Sequence, residues 1–155
     1  GAYRGWKRDC YEGGLRVPGI LEWPSRIKKP RRTDFPVVTS DYFPTALAAV
    51  GLPLPDDRTY DGINLLPIID QETNYKRLPI GFHCNGMEAW TSTPYKIVRS
   101  IKNKKTQSLD WELYNLLHDP YEEHNLATSR PDLVSRMAKE FDEWAHAIQL
   151  EKVKD

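Results

Sequence analysis

Gly5-Trp6-Lys7-Arg8-Asp9-Cys10-Tyr11-Glu12-Gly13-Gly14-Leu15-Arg16-Val17-Pro18 packs a lysine, arginines, acids and a Gly-Gly pair into one short stretch near the start of a 155-residue chain. Gly13 and Gly14 remove two consecutive Cβ atoms, so the backbone can turn sharply there or approach a ligand closely. The following Gly19-Ile20-Leu21-Glu22-Trp23-Pro24 is largely apolar, and Leu15–Trp23 reads as a short, mostly buried strand holding the loop at a sheet edge. Cationic side chains on a stiff glycine loop suit a small oxyanion. On composition alone the stretch is a solvated charged loop leading into a strand.

The length allows one domain with a real core and is short for two ordinary ones. Lys+Arg and Asp+Glu both number 22, so the net charge is zero. A nucleic-acid or anionic-membrane surface depends on excess positive charge and is not expected. Cys10 and Cys84 can form at most one bridge, which is no disulfide framework. No stretch approaches about 18 consecutive apolar residues, so no membrane span is expected. Gly1-Ala2-Tyr3-Arg4 carries no signal-peptide pattern, and a chain beginning inside such a loop reads as part of something longer.

Farther along, Lys28, Lys29, Arg31 and Arg32 surround Pro30 in a solvated basic loop. Ser40 to Gly51 reads as a helix, with Ser40 or Asp41 at its start, Pro44 in its first turn and Gly51 as its stop. Phe43, Leu47 and Val50 would form its buried face. A Pro/Asp-rich loop (52–61), an apolar segment broken by Pro67 and a polar stretch (71–77) follow. Leu78–His83, Met87–Thr91 and Tyr95–Ile101 read as strands, and Asn85-Gly86 between the first two is a strong hairpin signal. After a charged turn (102–108), Trp111–Leu116 alternates apolar and polar residues, as a half-exposed antiparallel strand does. Leu133, Met137, Phe141, Trp144, Ala145 and Ile148 recur at three- and four-residue spacing, predicting an amphipathic helix over 131–149 on one face of the sheet.

The opening stretch, with Trp23-Pro24 after it, resembles the second signature of the sulfatases, the alkaline-phosphatase-like sulfuric ester hydrolases. That pattern runs Gly-x-Lys, then Glu-Gly-Gly-x-Arg-Val/Glu-Pro, then an apolar strand ending in Trp-Pro. Asp41-Tyr42-Phe43-Pro44-Thr45 with Asp61-Gly62-Ile63-Asn64-Leu65-Leu66 is similar to the family's helix and Asp-Gly-x-x-Leu loop. Glu112–Leu116, Asp119-Pro120-Tyr121-Glu122 and Asn125-Leu126 are similar to its final strand and turn. These blocks stand in family order along nearly the whole chain.

The resemblance implies an α+β or α/β fragment. Residues 1–75 would end the α/β catalytic domain with a remnant strand and helix of its main sheet. Residues 76–155 would form a four-stranded antiparallel sheet packed by a long C-terminal helix. It implies a parent enzyme that hydrolyses sulfate esters, chiefly of sulfated carbohydrates, with a formylglycine nucleophile and a divalent cation, usually calcium. Lys7 takes the place of the lysine that grips the sulfate and neutralises developing charge. The nucleophile motif Cys/Ser-x-Pro-x-Arg is missing, because Glu22 stands two residues before Pro24 and neither cysteine precedes x-Pro-x-Arg. No metal ligands are expected among these residues. The missing groups would lie in the N-terminal part of the same catalytic domain, without which the chain would be inactive. A non-catalytic binding or structural module, or a phosphate or phosphonate ester hydrolase of the same superfamily, are the alternatives.

The C-terminal subdomain of this family borders the substrate pocket, which makes His83 on the hairpin a candidate contact for the non-sulfate part; a structural histidine at a strand end is the plainer reading. Glu12 and Arg16 read as salt-bridge or loop-stabilising residues. His118, His124 and His146 lack ligand spacing and read as surface residues, and Trp6, Trp90 and Trp111 as core or domain-contact aromatics. The family is often exported.

Overall fold

In a computed structural model, residues 2–70, 75–101 and 110–152 are described. The first four residues (71–74) of the polar stretch and the charged turn at 102–108 lie outside them. The chain divides into two compact units, one of residues up to Pro18 with those from Leu78 onward, the other of Gly19–Arg77.

The first unit is built on a four-stranded antiparallel sheet, β1 (Ile80–Cys84), β2 (Met87–Ser92), β3 (Tyr95–Ser100) and β4 (Glu112–Asn115), in sequential order. Asn85 and Gly86 take φ of 52° and 74°, the left-handed pair that a tight hairpin turn needs between β1 and β2. Thr93-Pro94 closes β2 onto β3 so that Ser92 opposes Tyr95. Helix α4 (Pro131–Lys152) covers one face. Its Met137 and Phe141 are buried against Trp90, Ile97, Trp111 and Leu113, with Leu133, Trp144 and Ala145 around them. Trp144 comes so close to β1 that a Cβ on Gly81 would stand 2.5 Å from its ring, which is why this strand position holds glycine.

The opposite face is covered by the N-terminal segment. Cys10, at 0% exposure, packs with Met87, Ala89, Val98 and Tyr114, and Tyr11 and Leu15 flank it. Residues up to Pro18, counted above with the first seventy-five, therefore pack on the sheet of the C-terminal part. Alternation along β3 makes this possible: Ile97 faces α4 and Val98 faces the N-terminal segment, so both faces of the sheet are buried.

The strand expected over Leu15–Trp23 is not formed. Leu15 instead ends a single helical turn, α1 (Glu12–Leu15). Residues 16–23 pair with no strand among the described residues, and Val17 and Ile20 are 78% and 98% exposed. A strand exists only through ladder bonds to a neighbour, and apolar composition cannot supply one.

In the second unit, α2 (Tyr42–Ala49) follows a 3-10 turn at Thr39–Asp41, and α3 (Leu66–Ile69) has Pro67 in its first turn. The expected buried face of α2 is corrected. Phe43 and Val50 are 46% and 70% exposed, and Pro44 is the buried residue. Asp41 organises this unit. Its buried carboxylate accepts the backbone N–H groups of Val38 and Ile63 and pairs with Arg77 at 2.8 Å. These long-range bonds orient the helix about Asp41 and Pro44, and the Phe43 face is left to stack on Tyr60.

Candidate functional site

The loop carrying Lys7 is a compact backbone knot. Gly5 and Arg8 adopt φ of 77° and 83°. The Trp6 N–H donates to Asp9 Oδ2 and the Asp9 N–H to the Trp6 carbonyl, each at 2.9 Å. Gly13 N–H donates to the Arg4 carbonyl at 2.7 Å. A Cβ on Gly13 would lie 2.3 Å from the Gly5 carbonyl oxygen, and one on Gly14 2.2 Å from that of Asp9. The Gly-Gly pair is thus required because the loop folds directly onto it. Lys7 and Trp6 project into solvent from this knot.

Beneath it lies a buried ion cluster. Lys96 on β3 is fully buried, with Nζ 2.9 Å from Glu12 Oε1 and 2.8 Å from Glu122 Oε1. The Glu12 N–H donates to Glu122 Oε2 at 2.7 Å. Burial pushes the Glu122 carboxyl above its ordinary pKa, against the pull of Lys96. Beside the cluster, Arg4 donates to the Tyr114 hydroxyl (2.7 Å) and Glu112 (3.1 Å), and its guanidinium lies 3.9 Å over the Tyr11 ring. Burial, reinforced by Glu112, raises the pKa of the Tyr11 and Tyr114 hydroxyls, so both stay protonated and donate to that carboxylate. Cys10 and Cys84 are free thiols, and burial pushes the Cys10 thiol up to about 11, leaving it unreactive at neutral pH.

Glu12 has the salt bridge expected of it, whereas Arg16 is exposed with its guanidinium 5.0 Å from the Tyr3 ring centre. His83 is exposed, with Nδ1 3.3 Å from Glu88 Oε1. Glu88 also binds Arg99, whose guanidinium lies 4.3 Å over Trp111 at the α4 side. His83 stands opposite Glu88 on the α4 face of the sheet, and the segment carrying Lys7 packs on the other face. Trp90 and Trp111 are core residues, as read. His118, His124 and His146 are exposed.

Among the described residues, the acids of the Lys7 loop are both engaged: Glu12 is held by Lys96 and Asp9 by the Trp6 N–H, beside the cationic Lys7 and Arg8. Asp119, Glu123 and His124 do group their ligand atoms within 4.8 Å, yet both Asp119 oxygens already accept the N–H groups of Glu123 and His124.

Lys96 escaped the reading of the sequence, and Glu122 entered it only as part of the Asp119-Pro120-Tyr121-Glu122 turn. A signal existed: in Tyr95-Lys96-Ile97-Val98, adjacent apolar residues imply a strand covered on both faces, which leaves a lysine beside them no solvent face.

Residues 3–147 match the family described as N-sulphoglucosamine sulphohydrolase, C-terminal. The chain is 42% identical over 86 residues to the human steryl-sulfatase, covering 55% of this chain and 15% of that protein. It is 26% identical over 149 residues to an N-acetylgalactosamine-6-O-sulfatase of Bacteroides thetaiotaomicron, covering 90% of this chain and 29% of that protein. Among solved structures, i-CgsB in complex with a neocarrahexaose superposes with a TM-score of 0.76 at 27% identity, covering 91% of this chain and 31% of that one. A B. thetaiotaomicron protein studied for its part in the metabolism of multiple glycosaminoglycans gives 0.79 at 25% identity, covering 92% and 32%. The chain thus spans less than a third of the length of each of these relatives.

Proposed function

This chain belongs to the sulfatases, in the family of N-sulphoglucosamine sulphohydrolase C-terminal regions, and on that premise we propose that the complete protein hydrolyses sulfate esters of a sulfated carbohydrate, with Lys7 as the residue that grips the sulfate. The observation that carries this reading is the Lys7 knot itself. It is a loop locked by its own backbone bonds on Gly13-Gly14, with an ammonium projecting into solvent inside the matching signature.

A lysine is a compact point charge with three donors, able to meet one oxygen of a tetrahedral anion. As the S–O bond to the alcohol breaks, negative charge grows on the oxygens, and a fixed cation stabilises it without reorganising. The knot supplies that fixity. The formylglycine nucleophile and a divalent cation, calcium in most of the family, would come from other parts of the complete protein. This chain's share is to bind and orient the sulfate, and alone it would not turn over substrate. The carbohydrate assignment is supported by the span of the likeness, since the named sugar sulfatase aligns over 90% of the chain and the steryl-sulfatase over 55%. His83, exposed beside Glu88, would contact the non-sulfate part of the substrate.

The test is Lys7→Ala in the complete protein, assayed on sulfated oligosaccharides, steroid sulfates and matched phosphate esters. Turnover of sulfated sugar should fall by orders of magnitude while the thermal unfolding midpoint stays put. Wild-type turnover in the variant would sink the role of Lys7, and faster hydrolysis of the phosphate or steroid series would sink the substrate class.

A further inference from the structure

Burying one ammonium and two carboxylates is an expensive way to hold a loop on a sheet. Desolvation of the ions consumes most of their mutual attraction, and well-packed apolar residues often hold as well or better. Such a cluster specifies geometry more than it adds stability.

The geometry leads to Lys7 through contacts that can be traced atom by atom. Lys96 meets Glu12 at 2.9 Å, and Glu122 holds both Lys96 and the Glu12 N–H. Glu12 is followed at once by Gly13 and Gly14, on which the backbone of Arg4, Gly5, Trp6 and Asp9 rests without room for a single Cβ. Glu12 cannot shift without carrying that backbone, and Lys7 stands in the middle of it. Lys96 itself, at 0% exposure, is sealed from any substrate. We propose that Lys96 is a positioning residue for the reaction: its buried ammonium fixes Glu12 and, through Gly13-Gly14, the loop that presents Lys7 to the sulfate. This rests on the reading of Lys7 as the sulfate-binding residue.

If Lys96 acts only through Lys7, its loss cannot matter once Lys7 is gone. In the complete protein, Lys96→Met should lower kcat/KM for a sulfated oligosaccharide about a hundredfold, the scale of an ångström-sized misplacement. It should also speed amide exchange at Asp9 and Gly13, whose N–H groups close the knot. The double variant Lys7→Ala/Lys96→Met should be no slower than Lys7→Ala alone. Ile97→Val, on the α4 side of the same strand, should lower the unfolding midpoint but alter neither exchange nor kcat/KM. Multiplicative losses in the double variant, or unchanged exchange at Asp9 and Gly13, overturn the proposal. If Lys96→Met does not accumulate folded, Glu12→Gln keeps the shape, weakens the link, and carries the same expectation of non-additivity. Should Lys7→Ala keep full activity, the Lys7 reading falls by that measurement, while the exchange experiment still reports whether Lys96 holds the loop.

Discussion

The two faces of the sheet are covered by opposite means. On one, α4 lays Met137 and Phe141 against Trp90, Ile97, Trp111 and Leu113 in an apolar, aromatic-rich contact. Phe141 meets Trp111 and Trp90 edge-on, with ring centres 5.2 Å and 6.5 Å apart. On the other, the signature segment is fastened by a buried lysine, two carboxylates, an arginine and two tyrosines around a small apolar patch. Apolar packing is nondirectional and tolerates small rearrangements, whereas charge-assisted hydrogen bonds fix angle and distance. The helix face supports the fold, and the polar face sets where a loop lies.

That contrast can be broken by experiment. The largest effect on stability belongs to the helix face. Phe141→Ala should cost about 3–5 kcal/mol, the range for emptying an aromatic site in a core, measured by urea unfolding. Under native conditions it should leave amide exchange at Asp9 and Gly13 unchanged. If exchange there rises in step with the lost stability, the two faces are one cooperative unit. Tyr114→Phe tests the polar face. It removes the hydroxyl that accepts from Arg4 at 2.7 Å and donates to Glu112 at 2.6 Å. It should cost only about 1 kcal/mol, since Arg4 and Glu112 still meet directly, yet it should loosen the exchange of the signature segment. A loss as large as that of Phe141→Ala would mean the polar face carries the fold as well.

The smallest effect is a pH slope. Burial raises the Glu122 carboxyl above its ordinary pKa, so the folded state binds that proton more tightly than the unfolded chain. Its contribution is therefore full below the ordinary carboxylate pKa and is lost as pH rises through the raised folded value. Glu122→Gln should flatten this part of a stability–pH profile. A profile unchanged by the substitution would show that Glu122 titrates as it does when unfolded.

The helix face was legible in the amino-acid order because its signals are local. Asn85-Gly86 marks a turn wherever it stands, strand alternation has a period of two, and the residues of α4 that face the sheet recur at helical spacing. The errors fell where a distant partner decides. Leu15–Trp23 has strand-like composition, but no ladder forms without a neighbour: Leu15 ends a helical turn and residues 16–22 stay exposed. Phe43 and Val50 satisfy the helical period, yet the long-range bonds of Asp41 to Ile63 and Arg77 turn α2 another way.

Sequence alone determined the family, the antiparallel sheet with its helix, and the candidate lysine, because signature residues and short-range periodicities are written in consecutive positions. Only the tertiary structure decided that residues up to Pro18 lie on the face of that sheet opposite α4, that His83 and Lys7 are on different sides, and that Lys96 is buried between Glu12 and Glu122. Those ion pairs join residues more than eighty positions apart in one case and about two dozen in the other, and a charged side chain in a strand reads as solvated until a second layer is seen to cover it.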